Sequence, residues 1–234
     1  MRLRLIAIVI LFSACKKEQQ PASGSLLSGY QGTSTPINSF LALGDSYTIG
    51  EAVFETERFA TQTTILLGQM GVVMLRPTYV ASTGWTTGHL RLGIDYARPE
   101  RHTIVTLLIG VNDQYLGTDL ESYRKNLDEL MNKAIELAFG KSRNVFVLSI
   151  PDYSATPRVQ FTDTARTRSE IDAFNKVNKS LADFYGCKYL YITDLTREAR
   201  YDRTLVSYDG LHPSGKEYEK WAKLLAPMIK DVLQ

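Results

Sequence analysis

Apolar residues along the chain follow two patterns that alternate with one another. Short continuous apolar runs predict strands buried on both faces, and these runs lie at 40–43, 103–109, 145–150 and 189–192. Longer stretches with an apolar residue every three or four positions predict helices at 58–70, 86–96, 120–137, 164–185 and 214–233. The segment 72–81 is also apolar, but Arg76 and Pro77 interrupt it, so it predicts an irregular or edge strand.

The alternation of strands and helices determines the expected fold. Strands separated by helices of this length pair in parallel through right-handed crossovers. The sequence therefore predicts one domain over residues 38–234, a three-layer α/β/α sandwich with a central, mainly parallel sheet. Ligands bind such folds at the carboxyl ends of the strands, so functional residues are expected in the segments that follow them.

The amino-terminal segment predicts export and anchoring. Arg2 and Arg4 precede an apolar run over 5–12 that is too short to cross a bilayer, and Cys15 follows small residues. Residues 1–15 resemble a bacterial lipoprotein signal, which implies cleavage after residue 14 and lipidation of Cys15. The alternative is an ordinary signal peptide with an unrelated cysteine. Residues 15–37, rich in Ser, Gly and Gln, would then tether a domain that a lipid anchors to a membrane of the cell envelope, outside the cytoplasm.

Composition narrows the class of protein further. The chain has 234 residues, 44% of them hydrophobic and 22% charged, as in a folded globular protein. Two cysteines exclude a disulfide framework, and we expect Cys187 to be a buried thiol. A formal net charge of +2 gives no indication of nucleic-acid binding. We expect a monomer.

Four polar clusters follow predicted strands or precede the last helix, at 44–46, 82–84, 110–113 and 209–212. Each cluster alone consists of ordinary turn residues. Their order and spacing resemble the GDSL family, also called SGNH hydrolases after the Ser, Gly, Asn and His that would here be Ser46, Gly84, Asn112 and His212. The resemblance covers residues 40–234. It implies the flavodoxin-like SGNH hydrolase fold and ester hydrolysis without a metal or other cofactor.

The candidate catalytic residues follow from chemistry and from the resemblance. A serine hydroxyl is a weak nucleophile that needs a base, and His212, three residues after Asp209, could accept a proton from Ser46 while Asp209 orients its ring. The resemblance implies an oxyanion hole formed by the backbone N–H groups of Ser46 and Gly84 and the side-chain amide of Asn112.

Other polar residues near these clusters have structural interpretations. We expect Asp45 and Asp113 to hold turns through side-chain to backbone hydrogen bonds. We expect His89 to lie near the cleft and His102 to lie on the surface, neither of them catalytic.

The residues that contact substrate are less defined by the sequence. Tyr47 follows the expected nucleophile and Trp85 follows the expected oxyanion glycine, so both are candidates to line the pocket, with the core as the alternative. Tyr153 is a third candidate, in a segment over 152–168 that either lines the cleft or is an unrelated solvated loop.

These observations predict a serine esterase that hydrolyses carboxylic esters through an acyl-enzyme. Two substrate classes remain open: acetylated glycans, which makes the protein a carbohydrate O-deacetylase, and lipid esters or thioesters of the lysophospholipase type. A different class also remains open, a noncatalytic surface lipoprotein that binds carbohydrate. An aligned nucleophile and base argue against that class, because a binding protein needs neither.

Overall fold

The computed structural model of the protein describes residues 37–159 and 163–234. The sheet contains five strands: β1 (Phe40–Gly44), β2 (Thr78–Ala81), β3 (Ile104–Leu108), β4 (Val145–Leu148) and β5 (Lys188–Leu190). Neighbouring strands pair in parallel, in the order β2-β1-β3-β4-β5. The predicted signal peptide, Cys15 and nearly all of the tether lie outside the described residues.

Helices alternate with the strands along the chain. They are α1 (Ser46–Ile49), α2 (Phe59–Gln69), α3 (Thr87–Ala97), α4 (Val111–Tyr115), α5 (Leu120–Leu137), α6 (Thr164–Tyr185), α7 (Thr193–Arg197) and α8 (Gly215–Leu233). Helix α2 packs against α8, whereas α5 packs against α3 and α6, so two groups of helices flank the sheet. The predicted three-layer fold with a parallel sheet is confirmed. In the described part of the chain, no helix is both long and apolar enough to cross a membrane.

The two central strands explain why the sequence shows continuous apolar runs. Every residue of β1 and β3 is buried, because helices cover both faces of the sheet there. By contrast, β2 lies at an edge and exposes Thr78 while burying Val80, which agrees with the predicted edge strand. The paired strands β1 and β3 therefore form a rigid centre whose carboxyl ends lie side by side.

Three short helices are not predicted by the hydrophobic pattern. Helices α1, α4 and α7 have only four or five residues each, too few for an apolar repeat to appear. The last strand also lies earlier than the predicted 189–192, because the chain turns at Ile192. There the backbone N–H of Ile192 donates to Ser149 Oγ at 2.8 Å, and α7 begins at the next residue.

Two predictions about single residues have different outcomes. Cys187 is buried, as predicted, and burial raises the pKa of its thiol to about 11, so the thiolate is scarce near neutral pH. The prediction that His102 lies on the surface is wrong, because only 8% of it is exposed. Its Nδ1 lies 2.7 Å from the Glu100 carbonyl oxygen, and this partner allows the ring to be buried.

Candidate active site

Ser46 lies where β1 ends and α1 begins. It is the first residue of α1, and Oδ1 of Asp45 caps that helix by accepting a hydrogen bond from the backbone N–H of Tyr47 at 3.0 Å. A Cβ at Gly44 would lie 2.0 Å from the Thr48 hydroxyl oxygen, so only glycine allows α1 to turn this closely against β1. The turn holds Ser46 at the carboxyl edge of the sheet.

His212 lies in the segment that precedes α8. Its carbonyl oxygen accepts a hydrogen bond from Ser207 N–H at 2.8 Å, and Val206 forms an isolated antiparallel bridge with Pro213. Ser214 then caps α8, with its hydroxyl accepting from Glu217 N–H. These contacts fix the backbone on both sides of the imidazole.

The structure brings Ser46, His212 and Asp209 together. Ser46 Oγ lies 2.9 Å from His212 Nε2, although 166 residues separate them, and His212 Nδ1 lies 2.6 Å from Asp209 Oδ2. An ionised carboxylate only accepts hydrogen bonds, so Nδ1 carries the proton and Nε2 is free to accept one from the serine. The arrangement has the geometry of a nucleophile, a base and an orienting acid.

Hydrogen bonds keep Asp209 ionised. Its partial burial raises the pKa of the carboxyl, but His212, the backbone N–H groups of Leu211 and His212, and the Ser207 hydroxyl all lower it. The net effect holds the pKa of Asp209 well below its usual range. A negative charge at this position would stabilise an imidazolium at His212.

Gly84 and Asn112, the two predicted oxyanion donors, both line the cavity that contains Ser46. Gly84 has a φ of +77°, a conformation that favours glycine. The side-chain amide of Asn112 donates one N–H to the Trp85 carbonyl oxygen at 2.9 Å, which links the two blocks. An amide group carries two N–H donors, so the second remains for a ligand.

Asp45 and Asp113 are buried beside the site, and each accepts a hydrogen bond from a backbone N–H group, as expected. Asp113 accepts from Thr87 twice, from the backbone N–H at 2.9 Å and from the hydroxyl at 2.6 Å, so it fixes the start of α3. Burial raises the pKa of Asp45 to about 8, with a contribution from the nearby Asp113 charge. Burial likewise raises the pKa of Asp113, despite the Thr87 hydrogen bonds.

The cavity above Ser46 has a volume of about 300 Å³. Tyr47 and Tyr153 both line it, and the Tyr47 ring lies 5.1 Å from the His212 ring, between centroids. Trp85 does not line this cavity. Its ring packs over Gly93 of α3, where an added Cβ would meet the ring at 2.2 Å. The indole therefore packs against α3, and the Trp85 carbonyl oxygen accepts a hydrogen bond from the Asn112 side chain.

Six further described residues line the cavity, and all but Tyr115 lie in the polar clusters or in the 152–168 segment that the sequence indicates. The remaining lining residues of the cavity are Thr83, Val111, Tyr115, Arg158, Val159 and Leu211. Tyr218 of α8 holds the backbone next to Ser46, since its hydroxyl donates to the Tyr47 carbonyl oxygen at 2.9 Å. Arg158 lies in the 152–168 segment, which the sequence predicts to line the cleft or to be a solvated loop, whereas Tyr115 only follows a predicted strand end.

His89 does not line the cavity. His89 is exposed and lies 3.0 Å from the Thr86 hydroxyl at the start of α3, outside the cavity. Among the described residues, no group of three or more His, Cys, Asp or Glu side chains is arranged to hold a metal ion.

The sequence profile of the GDSL-like Lipase/Acylhydrolase family matches residues 42–220, which is more than half of the chain. The protein therefore belongs to this family. No curated protein sequence matches the chain significantly.

Solved structures of esterases share the fold. TesA superposes with a TM-score of 0.64 at 18% identity, over 82% of this chain and 98% of its own. An acetyl xylan esterase, AlAXEase, superposes with a TM-score of 0.64 at 16% identity, over 82% and 99%. The lipase/acylhydrolase from Enterococcus faecalis superposes with a TM-score of 0.59 at 19% identity, over 83% and 96%. At these identities the likeness shows the fold, and family and fold together support ester hydrolysis.

Proposed function

We propose that the protein is a serine esterase in which Ser46 is the nucleophile, His212 the general base and Asp209 the residue that orients it. The observation that carries this proposal is the pair of hydrogen-bond distances, 2.9 Å from Ser46 Oγ to His212 Nε2 and 2.6 Å from His212 Nδ1 to Asp209 Oδ2. Both distances lie within the range that proton transfer requires.

The reaction has two halves. Ser46 Oγ bonds to the carbonyl carbon while its proton moves to His212 Nε2, and the bond to the alcohol oxygen then breaks as His212 gives that oxygen the proton. Water next bonds to the acyl carbon, His212 accepts its proton, and the bond to Ser46 Oγ breaks as the proton returns to the serine. The backbone N–H groups of Ser46 and Gly84 and the Asn112 amide would stabilise the oxyanion in both halves.

The substrate we propose is an acetylated glycan. A cavity of about 300 Å³ lies at the lower end of the usual range for ligand pockets and has room for an acetyl group together with part of the alcohol. The fold is shared with an acetyl xylan esterase, which is compatible with this class of substrate.

A neighbouring cavity supports an alcohol rich in hydroxyl groups over an alkyl chain. This cavity of about 570 Å³ shares Tyr115, Tyr153 and Val159 with the catalytic one. In its wall the Tyr153 hydroxyl donates to Gln114 Oε1 at 2.9 Å, and Gln114 Nε2 donates to Glu170 Oε2 at 2.8 Å. These groups already bond to one another, and their remaining lone pairs and N–H donors can also bond sugar hydroxyls, which an alkyl chain cannot do.

The test compares hydrolysis of acetyl and decanoyl nitrophenyl esters by the full-length wild type and by Ser46→Ala. We expect serine-dependent hydrolysis with a preference for the acetyl ester. A preference for the decanoyl ester would instead favour the lipid substrates. Hydrolysis that persists in Ser46→Ala would contradict the proposed nucleophile, and absence of hydrolysis in the wild type would contradict the proposed function.

The assignment of the base has its own test. We expect His212→Ala to lower turnover by about 10³-fold or more, because Ser46 then has no group to accept its proton. His89→Ala is the matched control, since His89 is exposed and lies outside the cavity. Equal losses in the two variants, with both proteins folded by circular dichroism, would remove His212 from its proposed role.

A further inference from the structure

Arg158 lies in a turn that is attached to the segment carrying the catalytic base. It belongs to the 3-10 turn Pro157–Val159, and its backbone N–H donates to the Gly210 carbonyl oxygen at 3.0 Å. Gly210 lies between Asp209 and His212 in the chain. The hydrogen bond therefore holds Arg158 on the His212 side of the cavity, whose lining it joins.

The Arg158 guanidinium differs from those of Arg166, Arg168 and Arg197, each of which faces at least one carboxylate. Arg166 Nε lies 2.7 Å from Glu170, and Arg168 Nε lies 3.5 Å from the buried Asp152. Arg197 contacts Asp152, Asp172 and Asp194 at 2.6–2.9 Å. Over residues 37–159 and 163–234, no ion pair or side-chain hydrogen bond involves Arg158, which is exposed.

The cavity contains no acid that would neutralise this charge. Of its described lining residues, Arg158 alone carries a permanent charge. The ionised Asp209 bonds His212 Nδ1, on the side of the ring away from the Nε2 that faces Ser46, and it does not line the cavity. A single unpaired cation in a partly enclosed cavity raises the potential there and attracts anions.

We infer that Arg158 is a specificity-determining residue that binds an anionic group, a carboxylate or a phosphate, on the alcohol part of the ester. This inference rests on the proposed function. The leaving alcohol takes its proton from His212, so it must lie on the side of the cavity where Arg158 is held. The guanidinium presents its N–H donors in a planar fork that matches carboxylate and phosphate oxygens.

The test uses three acetyl esters that share one aromatic ring. They are para-acetoxybenzoate, its neutral amide para-acetoxybenzamide, and para-acetoxyphenyl phosphate, and each enzymatic kcat/KM is divided by the uncatalysed rate of that ester. We expect the full-length wild type to prefer at least one anionic ester to the amide by about tenfold. Which anionic ester is preferred identifies the anion as carboxylate or phosphate.

Substitutions assign that preference to Arg158. Arg158→Gln is expected to lower the ratio of anionic to neutral kcat/KM about tenfold, mainly through a higher KM for the anionic ester. We expect Arg158→Lys to keep part of the ratio. Arg124→Gln, an exposed arginine of α5, is the matched control and should keep the wild-type ratio. A wild type without preference, or a preference that survives Arg158→Gln, overturns the inference.

A binding measurement separates this inference from the proposed function. Titration calorimetry on Ser46→Ala compares para-hydroxybenzoate, para-hydroxyphenyl phosphate and para-hydroxybenzamide, which need no chemical step. We expect tighter binding of an anion than of the amide, and loss of the difference in Ser46→Ala combined with Arg158→Gln. Equal affinities for all three overturn the role of Arg158 even if the esters are hydrolysed. Absence of hydrolysis with anion-selective binding would overturn the proposed function alone.

Discussion

Asp45 shows how one residue beside the nucleophile couples local structure to pH. Only 1% of it is exposed, and it caps α1 through the Tyr47 backbone N–H. Burial raises the pKa of this carboxyl to about 8, whereas an unfolded chain gives it a value near 4. Between these two values the folded protein keeps a proton that the unfolded chain has released.

The sign of the resulting pH dependence follows from proton binding. Since the folded state binds more protons in this window, the contribution of Asp45 to the free energy of unfolding falls as pH rises from about 4 to about 8. We expect Asp45→Asn to lack this contribution while its amide oxygen still caps α1. Urea denaturation of both proteins at pH 5, 6.5 and 8 measures the difference, and parallel stability curves would contradict the prediction.

The sequence indicated the site residues because they lie in short polar clusters, and the order and spacing of these clusters resemble those of a known family. Ser46, Asp209 and His212 come from two of those clusters, and the fold brings them within hydrogen-bond distance. The sequence could not predict the environment of the Trp85 ring in the same way. Its ring turns toward Gly93, and whether an aromatic ring faces a cavity or a helix depends on which residue lies opposite it.

At the scale of the element, the turn from β1 into α1 depends on Gly44. A Cβ there would lie 2.2 Å from the Leu108 carbonyl oxygen of β3 as well as 2.0 Å from the Thr48 hydroxyl oxygen. The first of these atoms belongs to backbone and cannot move without disturbing the sheet. The strand and the short helix therefore share a contact that permits no side chain.

We expect Gly44→Ala to lower the free energy of unfolding by about 2 kcal/mol or more, since it overpacks a rigid contact. It should also lower turnover, because α1 carries Ser46. Gly88→Ala in α3 is the matched control. Its nearest atom would lie 3.8 Å away, and alanine favours a helix by up to about 1 kcal/mol. Thermal or urea denaturation measures both, and similar effects in the two variants would contradict the packing argument.

Long elements were predictable and short ones were not. Helix α6 begins at Thr164 and ends at Tyr185 before Gly186, as the sequence predicts, because twenty-two residues contain a full apolar repeat and glycine adopts the left-handed conformation at the end. Helices α1, α4 and α7 are single turns whose formation depends on caps and on burial against the sheet. Two of them carry Ser46 and Asn112.

At the scale of the whole molecule, attachment to a membrane stays a prediction from residues 1–15. We expect Cys15→Ser to move the full-length protein from the membrane fraction to the soluble fraction, since it would remove the site of the lipid. Cys187→Ser is the matched control, because that thiol is buried in the folded domain and should leave fractionation unchanged. Cys15→Ser protein that remains with membranes would contradict the lipoprotein prediction.

The order of strands in the sheet is a property of the whole molecule. With β1 between β2 and β3, the carboxyl ends of β1 and β3 lie next to each other, so that Ser46 and Asn112 follow adjacent strands. The segment before α8 then returns to this edge and brings His212 to Ser46. The proximity of Ser46, Asn112 and His212 is therefore a consequence of chain topology.

The sequence by itself determined the layers of the fold, the parallel sheet and the candidate catalytic residues, because apolar periodicity and polar clusters are local features. Only the tertiary structure decided where the single-turn helices form, that His102 is buried and that the Trp85 ring packs against α3. It also decided the placement of Arg158 in the lining of the cavity and the environment that raises the pKa of Asp45. These features depend on which distant segments meet, and distances between segments arise only when the sheet orders its strands and the helices pack against it.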